Sequence, residues 1–364
     1  MTGSIESAVE QLLGEYVPPY LDQNLKQSRA VKKLLVRDGN VDVDIELGFP
    51  VATVAARVKT ELAERLSACE GVNNISIQVR SKIVAHQAQK NMKSIGNVKN
   101  IIAVASAKGG VGKSTTTVNL ALALAAEGAS VGILDADIYG PSQGALLGIK
   151  PGERPEAAEN AMYPIRAHGI QAMSMSFLVD EDQPMVWRGP MVSGALQQLL
   201  TQTLWEDLDY LFIDMPPGTG DIQLTLSQKV PVTGAVIVTT PQDIALLDAK
   251  KGIEMFRKVE IPVLGVVENM SLHTCSQCGH SEPIFGEGGG AQIAQQYQTE
   301  LIGRLPLVMG IRQQADKGIP IVISAPDSTE AKEYRDISLK MAACLAAKAK
   351  NYANVFPEIV VQNN

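Results

Sequence analysis

The sequence predicts an α/β chain in which a doubly wound, mostly parallel sheet follows a smaller α/β domain. Three observations carry this expectation. From Ile101 onward, short continuous apolar runs (IIAVAS, ASVGILD, DYLFID, TGAVIVTT, IPVLGVVEN) alternate with helical stretches. That is the pattern of parallel strands covered on both faces in βαβ units. Before about residue 85 the extended segments instead alternate apolar and polar residues, as a sheet buried on one face requires. Between the two, SKIVAHQAQKNMKSIGNVKN is polar and basic with weak periodicity. The expected division is a small α/β domain over 1–85, a linker or linking helix over 86–99, the large domain over 100–350, and a loose tail over 351–364.

In the first domain SAVEQLLGEYV reads as a helix, and AVKKLLVRDGNVDVDIELGFP reads as two strands joined at Asp38-Gly39-Asn40. Val41, Val43, Ile45 and Leu47 alternate with Asp42, Asp44 and Glu46. Val54, Val58, Leu62 and Leu66 recur every four residues along a following helix, and NISIQVR supplies another alternating strand.

Composition excludes several classes. With 45% hydrophobic and 20% charged residues the chain is an ordinary folded protein. A net charge of −7 argues against a broad nucleic-acid footprint, which needs a basic face. The opening MTGSIESAVEQLLGEY carries acidic residues where an export signal needs a basic start. No apolar run approaches the ~18 residues of a membrane span. The expected setting is the cytoplasm, where a CxxC pair more often binds metal or does chemistry than forms a structural disulfide.

The strongest local signal is SAKGGVGKSTTTVNLALALAAEG, a buried strand entering a glycine-rich loop and then a helix. Gly109, Gly110, Val111 and Gly112 offer backbone N–H groups to phosphate oxygens, and a helix starting near Ser114 adds its positive end. Lys113 is expected at the β and γ phosphates of ATP, the Ser114 hydroxyl on Mg²⁺, and Thr115 at the α phosphate. The strict pattern G-x-x-x-x-G-K-[ST] fails at its first position, Ala107, and a second lysine, Lys108, precedes the glycines. This loop resembles the deviant P-loop of the septum-positioning and plasmid-partition ATPases, the arsenite pump ATPase and the nitrogenase iron protein. That resemblance implies that Lys108 reaches across a nucleotide-sandwich dimer, so it implies a homodimer.

Two acidic stations follow: Asp135 and Asp137 in ILDADIYGPS, then Asp214 in LFIDMPPGTGD with Asp221 beyond a glycine-rich turn. Phosphoryl transfer needs carboxylates that hold hydrated Mg²⁺ and orient the attacking water. The resemblance implies Asp137 for water positioning, Asp214 for the metal-side carboxylate, and Gly218 as the glycine that senses the γ phosphate. VVENMS places Asn269 at a strand end, where its amide is expected at the adenine edge. The guanine-reading NKxD pattern is absent.

HTCSQCGHSEP brings Cys275 and Cys278 within reach of one metal ion, but a tetrahedral zinc or an iron-sulfur cluster wants four ligands. The other cysteines, Cys69 and Cys344, are distant in sequence and read as packing residues. A zinc site completed by His273 and His280 would crowd four ligands into eight residues, against the usual wide spacing between ligand pairs. A zinc shared between two chains, a redox CxxC and incidental cysteines are the other readings, although SLHTCSQCGHSEPIFGEGGG reads as loop throughout, not as the helix start a thioredoxin-like motif uses.

Taken together, SAKGGVGKST, DADIYGPS, MVWRGPMVSGALQQLL, DMPPGTGD, NMS and CSQCG resemble the Mrp/ApbC-type iron-sulfur cluster carrier ATPases over about residues 100–345. The N-terminal region is similar to the MIP18 (DUF59) domain, with YVPPYLDQ where an Asp-Pro is usual. The resemblance implies that the CxxC pairs of two subunits hold a bridging [4Fe-4S] cluster. It also implies slow Mg-dependent ATP hydrolysis, apo iron-sulfur proteins as clients and iron-sulfur scaffold proteins as further partners, with no role for nucleic acid or membrane. A partition-type ATPase acting on DNA or membrane, and a zinc-bridged scaffold, are the alternatives. Against the membrane form, KAKNYANVFPEIVVQNN lacks a basic amphipathic helix.

Overall fold

The computed structural model describes residues 2–89, 92–178, 189–275 and 277–348. Two compact units divide it. One holds the residues up to Val84 together with Ala126–Gly128 and Ala342–Lys348; the other holds Ala85–Ala125 and Ala129–Met341.

In the first unit, helix α1 (Thr2–Glu15) precedes strands β1 (Val31–Arg37) and β2 (Asn40–Leu47), helix α2 (Val54–Ser67) and strand β3 (Asn74–Ser81). β1 and β2 form an antiparallel hairpin. Asp38 (φ 49°) and Gly39 (φ 76°) both take positive φ at its two-residue turn, whose twist then matches that of the strands. β3 returns parallel to β2 after α2, in sheet order β1-β2-β3. Val41, Val43, Ile45 and Leu47 are buried with Val58, Leu62 and Leu66 of α2. On the other face Lys33 pairs with Asp42 and Arg80 with Asp44.

The second unit is built on an eight-stranded sheet. Its chain order begins with β4 (Val98–Ala105), α3 (Lys113–Ala126), β5 (Val131–Asp135) and α4 (Gln143–Leu146). A two-residue pair β6 (Ala157–Ala158) and β7 (Ala161–Met162) precedes β8 (Ile165–Ala167) and β9 (Ile170–Ser174). Then come α5 (Gly189–Gln202), β10 (Leu208–Asp214), α6 (Asp221–Lys229), β11 (Gly234–Thr239), α7 (Asp243–Lys258) and β12 (Val263–Glu268). The last stretch is β13 (His273–Thr274), β14 (Ser281–Glu282), α8 (Gly289–Gln296), β15 (Leu301–Arg304), α9 (Met309–Asp316), α10 (Ile321–Ser324) and α11 (Thr329–Ala346).

The large sheet runs β15-β12-β11-β4-β10-β5-β9-β8, parallel except for the last strand, which turns back antiparallel on β9. β5, β10 and β11 are buried at almost every position, which explains why their sequences show no alternation. From β4 the chain crosses to β5 on one side, while β11, β12 and β15 extend the sheet on the other. The carboxyl end of β4 therefore lies at the topological switch point, where open α/β sheets bind ligands. No helix among the described residues is long and apolar enough to cross a membrane.

Several expectations change in detail. Among the described residues of 86–99 there is no helix; the segment is mostly irregular. His86 is buried, its backbone N–H donating to Asn100 Oδ1, and Gln89 donates to the Ser227 carbonyl. The cysteine segment is not loop throughout, because β13 and β14 pair as a short antiparallel hairpin. Cys69, just beyond the end of α2, and Cys344, on α11, are only half-buried, so neither is a fully packed core residue. Trp187 and Arg188 of the WRGPM run, and the tail 351–364, lie outside the described residues.

Candidate nucleotide site and the cysteine hairpin

The phosphate loop leaves β4 and enters α3 over residues 106–113, with Gly110 and Gly112 both at φ 81°. Positive φ at two near-adjacent positions turns successive N–H groups to one side, which is what an anion-binding nest needs. Gly109 and Gly110 have open space where a side chain would stand. Lys108 is exposed, and among the described residues its ammonium group makes no ion pair. Its carbonyl accepts from Ser106 Oγ at 2.9 Å.

Register brings the acidic stations together. β10 pairs with β5 so that Asp214 stands opposite Asp135, and with β4 so that Asp214 stands opposite Val104 just before the loop. Lys113 Nζ donates to Asp214 Oδ1 at 2.5 Å, a pair 6% and 0% exposed, and to Ser114 Oγ at 3.2 Å. Thr117 Oγ1 also donates to Asp214 Oδ1 (3.1 Å), and Gln143 Nε2 donates to Asp214 Oδ2 (2.8 Å) and to the Ser114 carbonyl (3.1 Å). Ser114 and Thr115 are half-exposed at the first turn of α3, and the Thr115 carbonyl accepts from Asn119.

Asp135 anchors the next loop. Its carboxylate accepts backbone N–H bonds from Asp137 (3.1 Å), Ser142 (2.9 Å) and Gln143 (3.0 Å). Complete burial pushes its carboxyl well above the usual range, with the Asp214 charge adding to the effect. Asp137, held by this loop, lines a cleft of about 450 Å³ with Tyr139, Pro216, Pro217, Asp221 and Gln223. Its carboxyl is also raised, first by burial. Gly218 takes φ 108°, and its N–H donates to the Ser106 carbonyl at 3.0 Å, tying the second acidic loop to the phosphate loop.

Asn269, at the end of β12, is committed to the loop. Its Nδ2 donates to the Val111 carbonyl at 2.8 Å, and its Oδ1 accepts from Met270 N–H. A Cβ on Gly112 would lie 2.2 Å from that Nδ2. Gly112→Ala is therefore expected to abolish nucleotide binding while α3 and the sheet stay folded. Isothermal titration with ADP beside a circular dichroism spectrum checks this; a binding constant within about threefold of the parent, only 0.7 kcal/mol, would show that the brace is dispensable.

The cysteines stand on the β13–β14 hairpin. Cys275 N–H donates to the His280 carbonyl (2.8 Å) and Gly279 N–H to the Cys275 carbonyl (2.9 Å), closing a tight knuckle. Hydrogen bonding from the backbone N–H groups of Cys278 and Gln277, then from the Cys278 thiol, holds the Cys275 thiol below the ordinary range. Hydrogen bonds to sulfur favour the thiolate, the form that ligates metal. His273 is turned away, its Nδ1 donating to the Leu307 carbonyl at 3.0 Å, and His280 is exposed. Among the described residues no group of three or more His, Cys, Asp or Glu side chains is placed to hold a metal ion.

Sequence reasoning missed Gln143, Thr117 and the anchoring role of Asp135. Threonine and glutamine carry no motif signal, and their roles arise only where β5, β10 and α3 converge.

This fold, with its loop at the end of β4, defines a P-loop NTPase. Residues 97–342 match the family described as NUBPL iron-transfer P-loop NTPase, and residues 6–79 match the iron-sulfur cluster assembly protein family. The chain belongs to the NUBPL iron-transfer P-loop NTPase family, with an iron-sulfur cluster assembly domain preceding it. It is 63% identical over 275 residues to an iron-sulfur cluster carrier protein of Pseudomonas fragi, covering 75% of this chain and 96% of that one. It is 51% identical over 343 residues to the iron-sulfur cluster carrier protein of Escherichia coli K12, covering 94% of this chain and 93% of that one. Among solved structures, a nucleotide-binding protein from Archaeoglobus fulgidus in complex with ADP is similar at 37% identity and a TM-score of 0.57, over 65% of this chain and 92% of that one.

Proposed function

We propose that this protein is a cytoplasmic, homodimeric, slow Mg-dependent ATPase that binds a [4Fe-4S] cluster between subunits and transfers it to apo-proteins. One observation carries the reading. A phosphate loop and a two-cysteine knuckle closed by its own backbone hydrogen bonds share one chain, and among its described residues no group of three ligands is placed at the cysteines. An isologous dimer repeats each patch across its axis, so two thiolates become four.

The donor set near the loop suits magnesium. The Ser114 hydroxyl and Asp214 carboxylate are hard oxygen ligands or partners of the kind it selects. When bound, the ion supplies charge neutralisation on the phosphate oxygens. Lys113 leaves Asp214 for the phosphates, exchanging one carboxylate for the triphosphate charge. Asp214, still held by Thr117 and Gln143, would then be free to help hold the hydrated ion. The N–H groups of Gly109 through Lys113 cradle the phosphates with Thr115 at the α phosphate, while Gly218 reads the γ phosphate. Asp137, at the edge of its cleft, orients the attacking water. Lys108, exposed and without an ion pair among the described residues, reaches the phosphates of the partner. Asn269 keeps one amide hydrogen beyond its bond to Val111 for the adenine edge.

Hydrolysis acts as a switch: loss of the γ phosphate changes the dimer geometry and hence the grip of four cysteines on the cargo. The N-terminal domain, over 1–85, docks clients or scaffold proteins, and 86–99 joins it to the ATPase domain. Nucleic acid and membrane have no part in this cycle. Anaerobic reconstitution with iron and sulfide is expected to give a brown dimer holding about one cluster per two chains, transferable to an apo-enzyme. Stoichiometric zinc that iron cannot replace would favour a zinc-bridged scaffold instead.

A further inference from the structure

We propose that Gln143 is a further positioning residue of the nucleotide site, accepting a hydrogen bond through its side-chain carbonyl from a water of the magnesium hydration shell. The inference rests on the Mg-nucleotide reading above.

The Gln143 side chain is 1% exposed. Its Nε2 bridges Asp214 Oδ2 on β10 and the Ser114 carbonyl on α3. Both of those atoms are acceptors, so the amide orientation is set by chemistry: reversing it would put oxygen against oxygen. That leaves Oε1 buried with no hydrogen-bond partner, and the neighbouring Ser142 Oγ is likewise buried and unpartnered. More than nine in ten buried polar groups in folded proteins are paired. A clamp between β10 and α3 needs only the amide N–H groups, so the orphaned carbonyl calls for a donor that arrives with a ligand. Water on a divalent cation is such a donor, because the ion polarises its O–H bonds. Magnesium keeps several of its waters when bound, and Asp214 and Ser114, the groups expected beside the ion, are the ones Gln143 already touches.

The main chain of Gln143 adds a consequence. Its N–H and that of Ser142 share Asp135 Oδ2, while Asp137 N–H takes Asp135 Oδ1. One buried carboxylate thus fixes both the residue beside the ion and the loop carrying Asp137. Metal occupancy and the placement of Asp137 are joined through Gln143, two bonds from each.

The test measures binding, not turnover. A fluorescent ADP is titrated into the full-length protein with EDTA and then with saturating magnesium, and Mn²⁺ affinity of the ADP complex is read by electron paramagnetic resonance. Gln143→Leu is expected to bind ADP in EDTA within about twofold of the parent, while the gain on adding magnesium and the Mn²⁺ affinity both fall about tenfold, the usual effect of losing an outer-sphere partner. Gln143→Asn keeps both polar groups one methylene short, should show the same selective loss, and decides the matter if the leucine variant does not fold. A full magnesium gain in either folded variant, or equal loss with and without metal, would overturn the proposal. If the unsubstituted protein bound ADP under neither condition, the nucleotide reading itself would fall, and this inference with it.

Discussion

Lys113→Ala is expected to abolish ATP hydrolysis and to leave cluster binding largely intact. The lysine supplies the charge expected at the β and γ phosphates, and losing one preorganised group of this kind costs about 10²-fold or more in rate. The structure adds a stability effect. Lys113 and Asp214 form a buried pair, and removing one member leaves a desolvated charge, typically worth about 3–5 kcal/mol. Asp214 keeps bonds from Thr117 and Gln143, which places this case near the lower end. For a domain of this size that corresponds to a fall of roughly 6–12 °C in melting temperature. The hairpin is held elsewhere, by Ser271 and Leu272 against Leu305 and Leu307, so iron loading should be unchanged. Coupled-enzyme assay, calorimetry and the visible spectrum separate the three effects. Hydrolysis retained by a folded variant would mean that the phosphate site lies elsewhere.

Cys275→Ala should lose the cluster altogether, because one substitution removes two of four ligands from the dimer. Iron and sulfide analysis after reconstitution reads the loss directly, and ATP hydrolysis by the apo-protein serves as the control for folding. Cys69→Ala and Cys344→Ala should load as the parent does, as should His273→Ala, whose ring is already engaged with Leu307. The depressed Cys275 thiol gives a pH corollary. A group with a lowered pKa stays ionised to lower pH, so loading should extend further down in pH than in a variant whose Cys275 thiol lacks these hydrogen bonds. The carrier reading does not survive a Cys275→Ala protein that binds the same cluster.

The glycine loop and the apolar runs were legible because each is a local device. A phosphate nest needs consecutive positions free to take positive φ, and a buried parallel strand needs uninterrupted apolar residues. The edge strands β8 and β15, and β9 beside β8, were missed among the apolar runs, being short and bordered by polar residues. The hairpin at the cysteines was read as loop, since two-residue strands leave no periodic trace.

The site itself divides along the same line. Residue type and spacing drew attention to Lys113, Ser114, Cys275 and Cys278, because backbone geometry over a few residues dictates which side chains a phosphate or metal can use, whereas the roles expected of Asp137 and Asp214 came from the family resemblance. Asn269 was picked out as well, yet its bond to the Val111 carbonyl joins residues 158 apart, and that of Thr117 to Asp214 spans 97. Which carboxylate holds Lys113, which amide braces the loop and which carbonyl of Gln143 is left over depend on how β4, β5, β10 and β12 line up. That register is set by packing over the whole sheet, so only the folded chain contains it.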